Sequence, residues 1–368
     1  MKIVRSGATP SAIVEVSRSI KKRSAEENVP YLHLERGVPG VRPINLKSIL
    51  PAIDVNAPAV QTYPQTAGQE ALTTAINRIY FEGKAEPDRL FVTPGSSMGL
   101  DLAFQTIDTQ VVFLPFYHWG TYRKILHTRR RAPAYYRTVE ELRDHPDRYA
   151  GTAVVLCDPN NPVGDLQPEG LILDTAGRLG RAGAAVILDC PYRRLFFPDD
   201  DEFYVAAAAL PNVIILESFS KTLGLSGLRI GFAYAPDADF AAEFGLRLAL
   251  PTNGVDNLSQ FVIEKLLSDP AGIEAAAEYQ AATVVDIRRN VEYLEHRALT
   301  AGRFYAASQC TGIFAILNRT AEQLLAHRIG SISLEFFTAT EKEDAARFAR
   351  INVAVPHEAF KTYFDAMP

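Results

Sequence analysis

The sequence predicts an α/β protein with two domains: a large one, in which helices cover a mostly parallel central sheet, and a smaller α+β domain. The chain has 368 residues, more than a single hydrophobic core usually supports. Short apolar runs alternate with helical patterns from about residue 70 to residue 235, as in parallel strands joined by helices. Beyond Pro251, long amphipathic patterns replace this alternation. We therefore expect a large domain over residues 46–262 and a small domain built from residues 1–45 and 263–368.

Six short runs predict the strands of the central sheet, because each is nearly all apolar, as strands buried on both faces are. All six are expected to be parallel. These runs are Leu90–Thr93, Val111–Leu114, Ala153–Leu156, Ala185–Leu188, Val213–Leu216 and Ile230–Ala233.

Apolar residues at helical spacing predict the helices of both domains. The predicted helices are Ser11–Glu26, Gly99–Thr106, Leu171–Ala182, Asn257–Ser268 and Ile273–Leu299. Two short strands, Ile313–Leu317 and Ile351–Val355, are expected in the small domain, and the first 45 residues are expected to pack on it.

Composition excludes several function classes. With 47% apolar and 22% charged residues the chain resembles a globular protein, and a net charge of −5 argues against a nucleic-acid partner. The basic run His127–Arg131 is expected to be a solvated helix end. Three scattered cysteines, Cys157, Cys190 and Cys310, fit neither a disulfide framework nor a metal cage. Without a signal sequence or a long apolar run, we expect a cytoplasmic protein with no membrane partner and no metal.

A lysine follows the predicted strand Val213–Leu216, in a turn rich in hydroxyls and glycines. Ligands of open α/β folds bind at such strand ends. There Lys221 could lose its hydration and form a Schiff base, while Ser218, Ser220 and Arg229 supply donors for an anion. An exposed lysine in a flexible loop is the alternative.

Two neighbouring strands also end in polar residues. Asp189 ends one strand, with Tyr192 three residues later, and a buried carboxylate there requires a cationic partner. The pyridinium nitrogen of pyridoxal phosphate is such a partner. Asn161 follows the strand Ala153–Leu156 in a turn and could donate to a ring oxygen. A helix cap for Asp189 and ordinary turn chemistry for Asn161 are the alternatives.

A strand, a glycine and two serines precede the predicted helix Gly99–Thr106. Gly95, Ser96 and Ser97 would direct backbone N–H groups and two hydroxyls toward one point, which is typical of a phosphate site. The pattern lacks the lysine of a nucleotide-binding P-loop.

Together these motifs resemble the fold-type I pyridoxal-phosphate enzymes, specifically the class I/II aminotransferases that include aspartate and histidinol-phosphate aminotransferases. The resemblance covers nearly the whole chain in order and spacing. It rests on Gly37–Pro39, Tyr63-Pro64 with Gly68, Gly95–Ser97, Pro115–Tyr117, Asn160–Gly164, Asp189–Tyr192, Ser218–Lys221 with Arg229, and Arg350–Asn352.

The resemblance implies a role for each residue around the cofactor ring. Lys221 would form the internal aldimine with pyridoxal phosphate and shuttle the α-proton of the substrate. Asp189 would hold the pyridine nitrogen, Asn161 and Tyr192 would bond the ring 3′-oxygen, and Tyr117 would stack on the ring face.

It also implies the groups that bind phosphate and substrate. Tyr63 would reach the phosphate of the neighbouring subunit's cofactor in a homodimer, Arg350 would grip the substrate α-carboxylate, and Gly37 would assist through its backbone. The phosphate-binding groups would be Ser96, Ser97, Ser218 and Arg229.

The chain departs from the family pattern in two places. Val163 replaces the usual threonine of the Asn-Pro-Thr-Gly turn, and residues 332–349 lack the Pro-Gly…Phe-Gly loop that commonly precedes the carboxylate arginine. Arg347 is therefore an alternative to Arg350, and an ordinary surface role is another.

The predicted function is a homodimeric pyridoxal-phosphate-dependent aminotransferase that converts an L-amino acid and a keto acid. A lyase, cyclase or decarboxylase of the same fold would use the same cofactor motifs and is the alternative. A non-catalytic regulator that retains the cofactor, and an α/β protein with another ligand, are two further readings.

Overall fold

The computed structural model describes residues 1–3, 6, 9–198 and 201–367. Its α-helices are α1 (Ala12–Glu27), α2 (Pro58–Gln61), α3 (Glu70–Phe81), α4 (Ser96–Thr106), α5 (Thr121–Thr128), α6 (Val139–Asp144), α7 (Glu169–Arg181), α8 (Arg193–Phe196), α9 (Phe203–Ala208), α10 (Phe219–Thr222), α11 (Ala238–Thr252), α12 (Asn257–Ser268), α13 (Pro270–His296), α14 (Ala321–Ala326), α15 (Lys342–Ala345) and α16 (His357–Asp365). None of the helices in this part of the chain combines the length and apolarity needed to cross a bilayer.

The strands belong to one large sheet and three small ones. They are β1 (Leu32–His33), β2 (Leu90–Thr93), β3 (Val111–Pro115), β4 (Ala132–Tyr136), β5 (Ala153–Cys157), β6 (Asp165–Leu166), β7 (Ala185–Asp189), β8 (Val213–Ser218), β9 (Gly231–Tyr234), β10 (Gln309–Cys310), β11 (Phe314–Leu317), β12 (Ile329–Gly330), β13 (Ile332–Ser333) and β14 (Ala349–Asn352).

The large sheet has the strand order β2-β9-β8-β7-β5-β3-β4 and confirms the predicted fold class. All six predicted runs form strands, but the prediction that all are parallel was wrong for β9, which pairs antiparallel with both β2 and β8. A seventh strand, β4, was missed. It lies at the sheet edge and contains Pro133, the residue that sequence patterns treat as a sign against a strand.

Helices cover both faces of this sheet, and alternate residues of each strand enter different cores. In β5, for example, Val154 belongs to one apolar cluster and Val155 to the other. The parallel strands β2, β3, β5, β7 and β8 all have their carboxyl ends at the same edge of the sheet, the edge that runs across the strands. This arrangement brings together at one edge the polar residues that follow those strands.

A second, smaller sheet lies in the C-terminal part of the chain, in the order β11-β14-β13. The N-terminal segment joins this part of the chain because β1 pairs in parallel with β12. The long helix α13 begins with Pro270 at its first turn, where a missing N–H costs nothing. The division at residues 45 and 262 stays a prediction.

The basic run lies at the end of α5, and three of its contacts are structural. Arg129 pairs with Asp101 of α4, and Arg131 donates to the carbonyl oxygens of Ile107 and Thr109. These bonds hold the end of α5 against the segment that follows α4.

Candidate active site

A cavity of about 260 Å³ lies at the edge where the parallel strands end. It contains most of the predicted site residues. Its lining consists of Ile13, Gly37, Val38, Ser96, Ser97, Trp119, Tyr122, Cys157, Asn161, Asp189, Pro191, Tyr192, Ser218, Ser220, Lys221, Arg229 and Arg350. We call Asn161, Asp189, Tyr192 and Lys221 the strand-edge wall, and Gly37, Val38 and Arg350 the arginine wall.

Lys221 lies in α10, the short helix that begins directly after β8. Burial, together with the nearby charges of Arg229 and Arg350 that act in the same direction, lowers the pKa of its ammonium group to about 8. A substantial fraction of the amine is therefore neutral and nucleophilic close to physiological pH.

Asp189 ends β7, and its side chain is buried without a cation beside it. Burial raises the pKa of its carboxyl group to about 6, while a hydrogen bond from the Tyr122 hydroxyl opposes that rise. Tyr122 donates to Oδ2 of Asp189, and Oδ1 is buried with no hydrogen-bond partner among the described residues. A buried acceptor without a partner is costly, so this oxygen is suited to a donor or cation of a ligand.

A second group of polar residues in the cavity lining, Ser96, Ser97, Ser220 and Arg229, is suited to an anion. Ser96 and Ser97 open α4, where free backbone N–H groups and the helix dipole attract negative charge. The Arg229 guanidinium lies against Gly95, since a Cβ built there would be 2.9 Å from Nη2. Arg229 also donates to Oγ of Ser220 at 3.3 Å. A phosphate at this point would meet a cation, hydroxyls and backbone donors together.

The amide of Asn161 connects the two walls. Its Nδ2 donates to the Tyr192 hydroxyl oxygen at 3.2 Å, and its Oδ1 accepts from Nη1 of Arg350 at 3.4 Å. Burial raises the pKa of Tyr192, so its phenol stays protonated. Asn161 and Tyr192 can thus present N–H and O–H donors to an oxygen of a bound ring.

Arg350 lies in β14, the central strand of the small sheet, and its side chain is fully buried. Its Nη2 donates to the backbone oxygen of Glu35 at 2.5 Å, and its guanidinium lies over the rings of Phe314 and Phe337. Burial lowers its pKa to about 10, and its Nε has no partner in the described part of the chain. A buried guanidinium without a carboxylate is suited to an anionic ligand.

Two predicted residues lie outside this cavity. The Tyr117 ring packs against Phe116 and Phe304, with centroids 5.0 and 5.3 Å apart, because the chain turns after β3 and directs Trp119 to the cavity instead. Tyr63 is 86% exposed and absent from the cavity lining of its own chain.

Trp119 and Tyr122 were missed by sequence reasoning. Trp119 lies just before α5, and Tyr122, three residues later, lies in the first turn of that helix. Their rings meet edge-on at 5.7 Å. Their aromatic character and three-residue spacing are the only signal in the sequence, and this signal does not specify which aromatic side chain after β3 reaches the cavity. Ser220, which the sequence predicts as a donor for an anion, also lines the cavity.

Comparison with known proteins identifies the family. Residues 45–366 match the family model of aminotransferase class I and II. The chain belongs to this family. Histidinol-phosphate aminotransferase 2 of Carboxydothermus hydrogenoformans is 31% identical over 160 residues, which cover 42% of this chain and 40% of that protein. Aromatic amino acid aminotransferase of Streptomyces coelicolor is 36% identical over 111 residues, which cover 29% of each chain.

These two alignments span less than half of the relatives' length, whereas solved structures match over nearly the whole chain. An aminotransferase from Mycobacterium tuberculosis superposes with a TM-score of 0.82 at 18% identity, covering 99% of this chain and 97% of that one. Aspartate aminotransferase from Thermus thermophilus with maleate gives 0.80 at 19% identity, covering 99% and 98%. At these identities the structures show a shared fold.

The cavity fits pyridoxal phosphate, the cofactor of the aminotransferase class I and II family. The unpartnered Oδ1 of Asp189 suits a protonated ring nitrogen, and the opening of α4 with Arg229 suits the phosphate. Asn161 and Tyr192 provide donors for the ring oxygen, and the Lys221 amine suits an aldehyde carbon.

Proposed function

We propose that this chain is a pyridoxal-phosphate-dependent aminotransferase acting on an L-amino acid and a keto acid. The observation that carries the proposal is the strand-edge wall: the weakly basic Lys221 and the half-satisfied carboxylate of Asp189 face one cavity. The cofactor, when bound, supplies an electron sink that makes the substrate Cα–H acidic.

The chain's own groups would then bind the reactants and move protons. Nζ of Lys221 would accept the proton from the substrate Cα and later donate it to a carbon atom of the cofactor. The carboxylate of Asp189 would hold a proton on the ring nitrogen, and Trp119 would cover a ring face. Arg350 would bind the α-carboxylate of the amino acid.

Arg350 also favours one kind of amino donor. The relatives' names include both aromatic amino acids and histidinol phosphate, and only the former carry an α-carboxylate. Since Nε of Arg350 is buried without a partner among the described residues and suits an anion such as this carboxylate, we infer an amino acid as the donor.

The test uses cofactor labelling followed by product analysis. Borohydride reduction of the cofactor-loaded protein should fix the label on the Lys221 peptide, and Lys221→Ala should remove both the label and the turnover. Lys265→Ala, which changes a surface lysine paired with Asp269, should retain both. A label on another lysine would overturn the assignment of the site. Release of a keto acid from L-amino donors, identified by mass spectrometry, would separate transamination from elimination or decarboxylation.

We further propose that the enzyme is a homodimer in which Tyr63 completes the partner's site. Tyr63 is 86% exposed, and Leu246 and Leu250, four residues apart on α11, are 65 and 88% exposed. A group of exposed apolar side chains is suited to an interface. Asn257 holds the Tyr63 loop by donating to the oxygen of Thr62 at 3.0 Å. This bond places Tyr63 beside the start of α12.

Mixed dimers test the shared site. Tyr63→Ala and Lys221→Ala should each be inactive, whereas a re-equilibrated mixture should recover roughly a quarter of the sites, because one site of each mixed dimer is intact. No recovery in the mixture, or an active species sedimenting at the 40.5 kDa of one chain, would contradict the proposal.

A cytoplasmic location also stays a proposal, supported by three cysteines that are all free thiols.

A further inference from the structure

Tyr122 occupies one oxygen of Asp189 and leaves the other without a partner. Its ring is 1% exposed, and its hydroxyl donates to Oδ2. No other side chain in the described part of the chain donates to this carboxylate. The tyrosine thus determines which carboxylate oxygen is available to a ligand.

The groups around Asp189 make the hydrogen bond from Tyr122 important for the charge of the carboxylate. The titratable groups that face the carboxylate from β5, from β8 and from the residues after β7 are Cys157, Glu217, Cys190 and Tyr192. Burial raises the pKa of each, with that of Glu217 at about 8, and none of the four carries a positive charge in either protonation state. A buried carboxylate without a cation tends to take up a proton, and the Tyr122 hydroxyl is the group that opposes this.

The Tyr122 ring also contacts an aromatic residue of the cavity lining. Trp119, three residues earlier, lines the cavity and contacts the Tyr122 ring edge-on. The segment that supplies Trp119 to the cavity therefore also supplies the donor to the Asp189 carboxylate.

We propose that Tyr122 is a positioning residue for Asp189, whose hydroxyl holds Oδ2 so that Oδ1 faces the ring nitrogen of the cofactor and the carboxylate stays ionised. This inference rests on the proposed function. It concerns a residue that acts through Asp189 and not on the substrate.

The experiment compares two ligands that differ in one atom. The dissociation constants of pyridoxal phosphate and of its analogue with C–H in place of the ring nitrogen are measured on the apo-protein by fluorescence titration. The wild type should prefer the nitrogen ligand, because Asp189 binds its N–H. Tyr122→Phe should reduce that preference about 10-fold, the scale of a hydrogen bond to a charged group, while the affinity for the carbon analogue changes less than about 2-fold.

Two variants serve as controls. Tyr136→Phe removes a buried hydroxyl that donates to the Val155 oxygen at 2.9 Å and lies outside the cavity lining, so the preference should persist. In an Asp189→Asn background, Tyr122→Phe should have no further effect on the preference. Tyr122→Met, which removes the same hydroxyl with an adaptable side chain, replaces Tyr122→Phe if the latter does not fold.

The outcomes separate the inference from the proposed function. A wild type that binds neither ligand, or binds both equally, would overturn the proposed function, and the inference would fall with it. A wild-type preference that survives in the Tyr122 variants would overturn the inference alone. Equal weakening of both ligands in those variants would assign Tyr122 a purely structural role and overturn it too.

Discussion

The two walls of the cavity are built in different ways. The strand-edge wall comes from residues that directly follow β5, β7 and β8, three neighbouring strands of one sheet. The arginine wall combines Gly37 and Val38 from the N-terminal segment with Arg350 from β14 of the small sheet. Asn161 is the point where the walls meet, through its contact with Arg350.

Because they are built differently, the two walls are expected to have different functions. Adjacent strands fix the strand-edge residues to one another, which suits cofactor chemistry that depends on precise placement. The arginine wall depends on packing between distant segments, and it offers one buried cation to whatever enters. We therefore expect changes in the strand-edge wall to affect turnover and changes in the arginine wall to affect substrate binding.

The largest effect is expected from Asp189→Asn, which removes the charge that we propose faces the ring nitrogen. Turnover should fall at least about 100-fold, the scale for loss of a preorganised electrostatic partner, with little change in substrate affinity. Steady-state kinetics of the loaded enzyme measure both. Asp165→Asn, whose carboxylate accepts from Gln167 outside the cavity, is the control, and near-normal turnover in Asp189→Asn would contradict the assigned role.

Arg350→Ala should show the opposite pattern. Amino-acid binding should weaken by at least about 2 kcal/mol, or roughly 30-fold, while the absorbance of the bound cofactor stays unchanged. Arg350→Lys should restore little, because an ammonium cannot form two parallel bonds. The matched control is Arg347→Ala, since the Arg347 side chain is 75% exposed. If Arg347→Ala and not Arg350→Ala weakens binding, the alternative noted from the sequence is correct.

The next prediction concerns the acidity of Lys221 in the apo-protein. Competitive acetylation at increasing pH should give a midpoint near pH 8 for Lys221. For Lys265, whose carboxylate neighbours raise its pKa against the opposing effect of burial, the midpoint should lie above 10.5. The unfolded chain, with an ordinary lysine pKa of 10.5, binds more protons than the folded one between pH 8 and 10.5. The contribution of Lys221 to stability therefore rises with pH across that window. A Lys221 midpoint near 10.5 would show that the amine is hydrated.

The smallest effect separates two neighbouring aromatic residues. Trp119→Phe should weaken pyridoxal-phosphate binding a few-fold, since an aromatic contact is worth about 1 kcal/mol. Tyr117→Leu should leave the affinity within about 2-fold, because the Tyr117 ring packs on Phe304 outside the cavity. Dissociation constants from absorbance titration decide between them, and the reverse order would restore the sequence-based assignment to Tyr117.

Much of the fold could be read from the sequence because strands buried on both faces are uninterrupted apolar runs. The direction of β9 could not, since an apolar run carries no sign of its orientation. The edge strand β4 was hidden by Pro133 and by its partial exposure. Helix bounds shifted by a few residues, as for α13, where the predicted start at Ile273 lies one turn inside Pro270.

For the site, residues tied to strand ends were easier to place than those that depend on turns or on distant packing. Lys221, Asp189, Asn161 and Tyr192 all line one cavity, and each lies within a few residues of a strand end. Trp119 displaces Tyr117 from the cavity because of the path of a short turn, which no residue pattern specified. Tyr122 could not be inferred because its importance comes from a through-space contact with Asp189.

The bond between Nη2 of Arg350 and the Glu35 oxygen joins groups 315 residues apart in the chain. On a ribosome adding roughly 5 to 20 residues per second, the N-terminal segment would emerge roughly 15 to 60 s before its partner is synthesised. In the same way, strand β1 (Leu32–His33) would be synthesised long before its partner β12 (Ile329–Gly330). The arginine wall can therefore assemble only after β14 has been synthesised, well after every strand of the large sheet has been made.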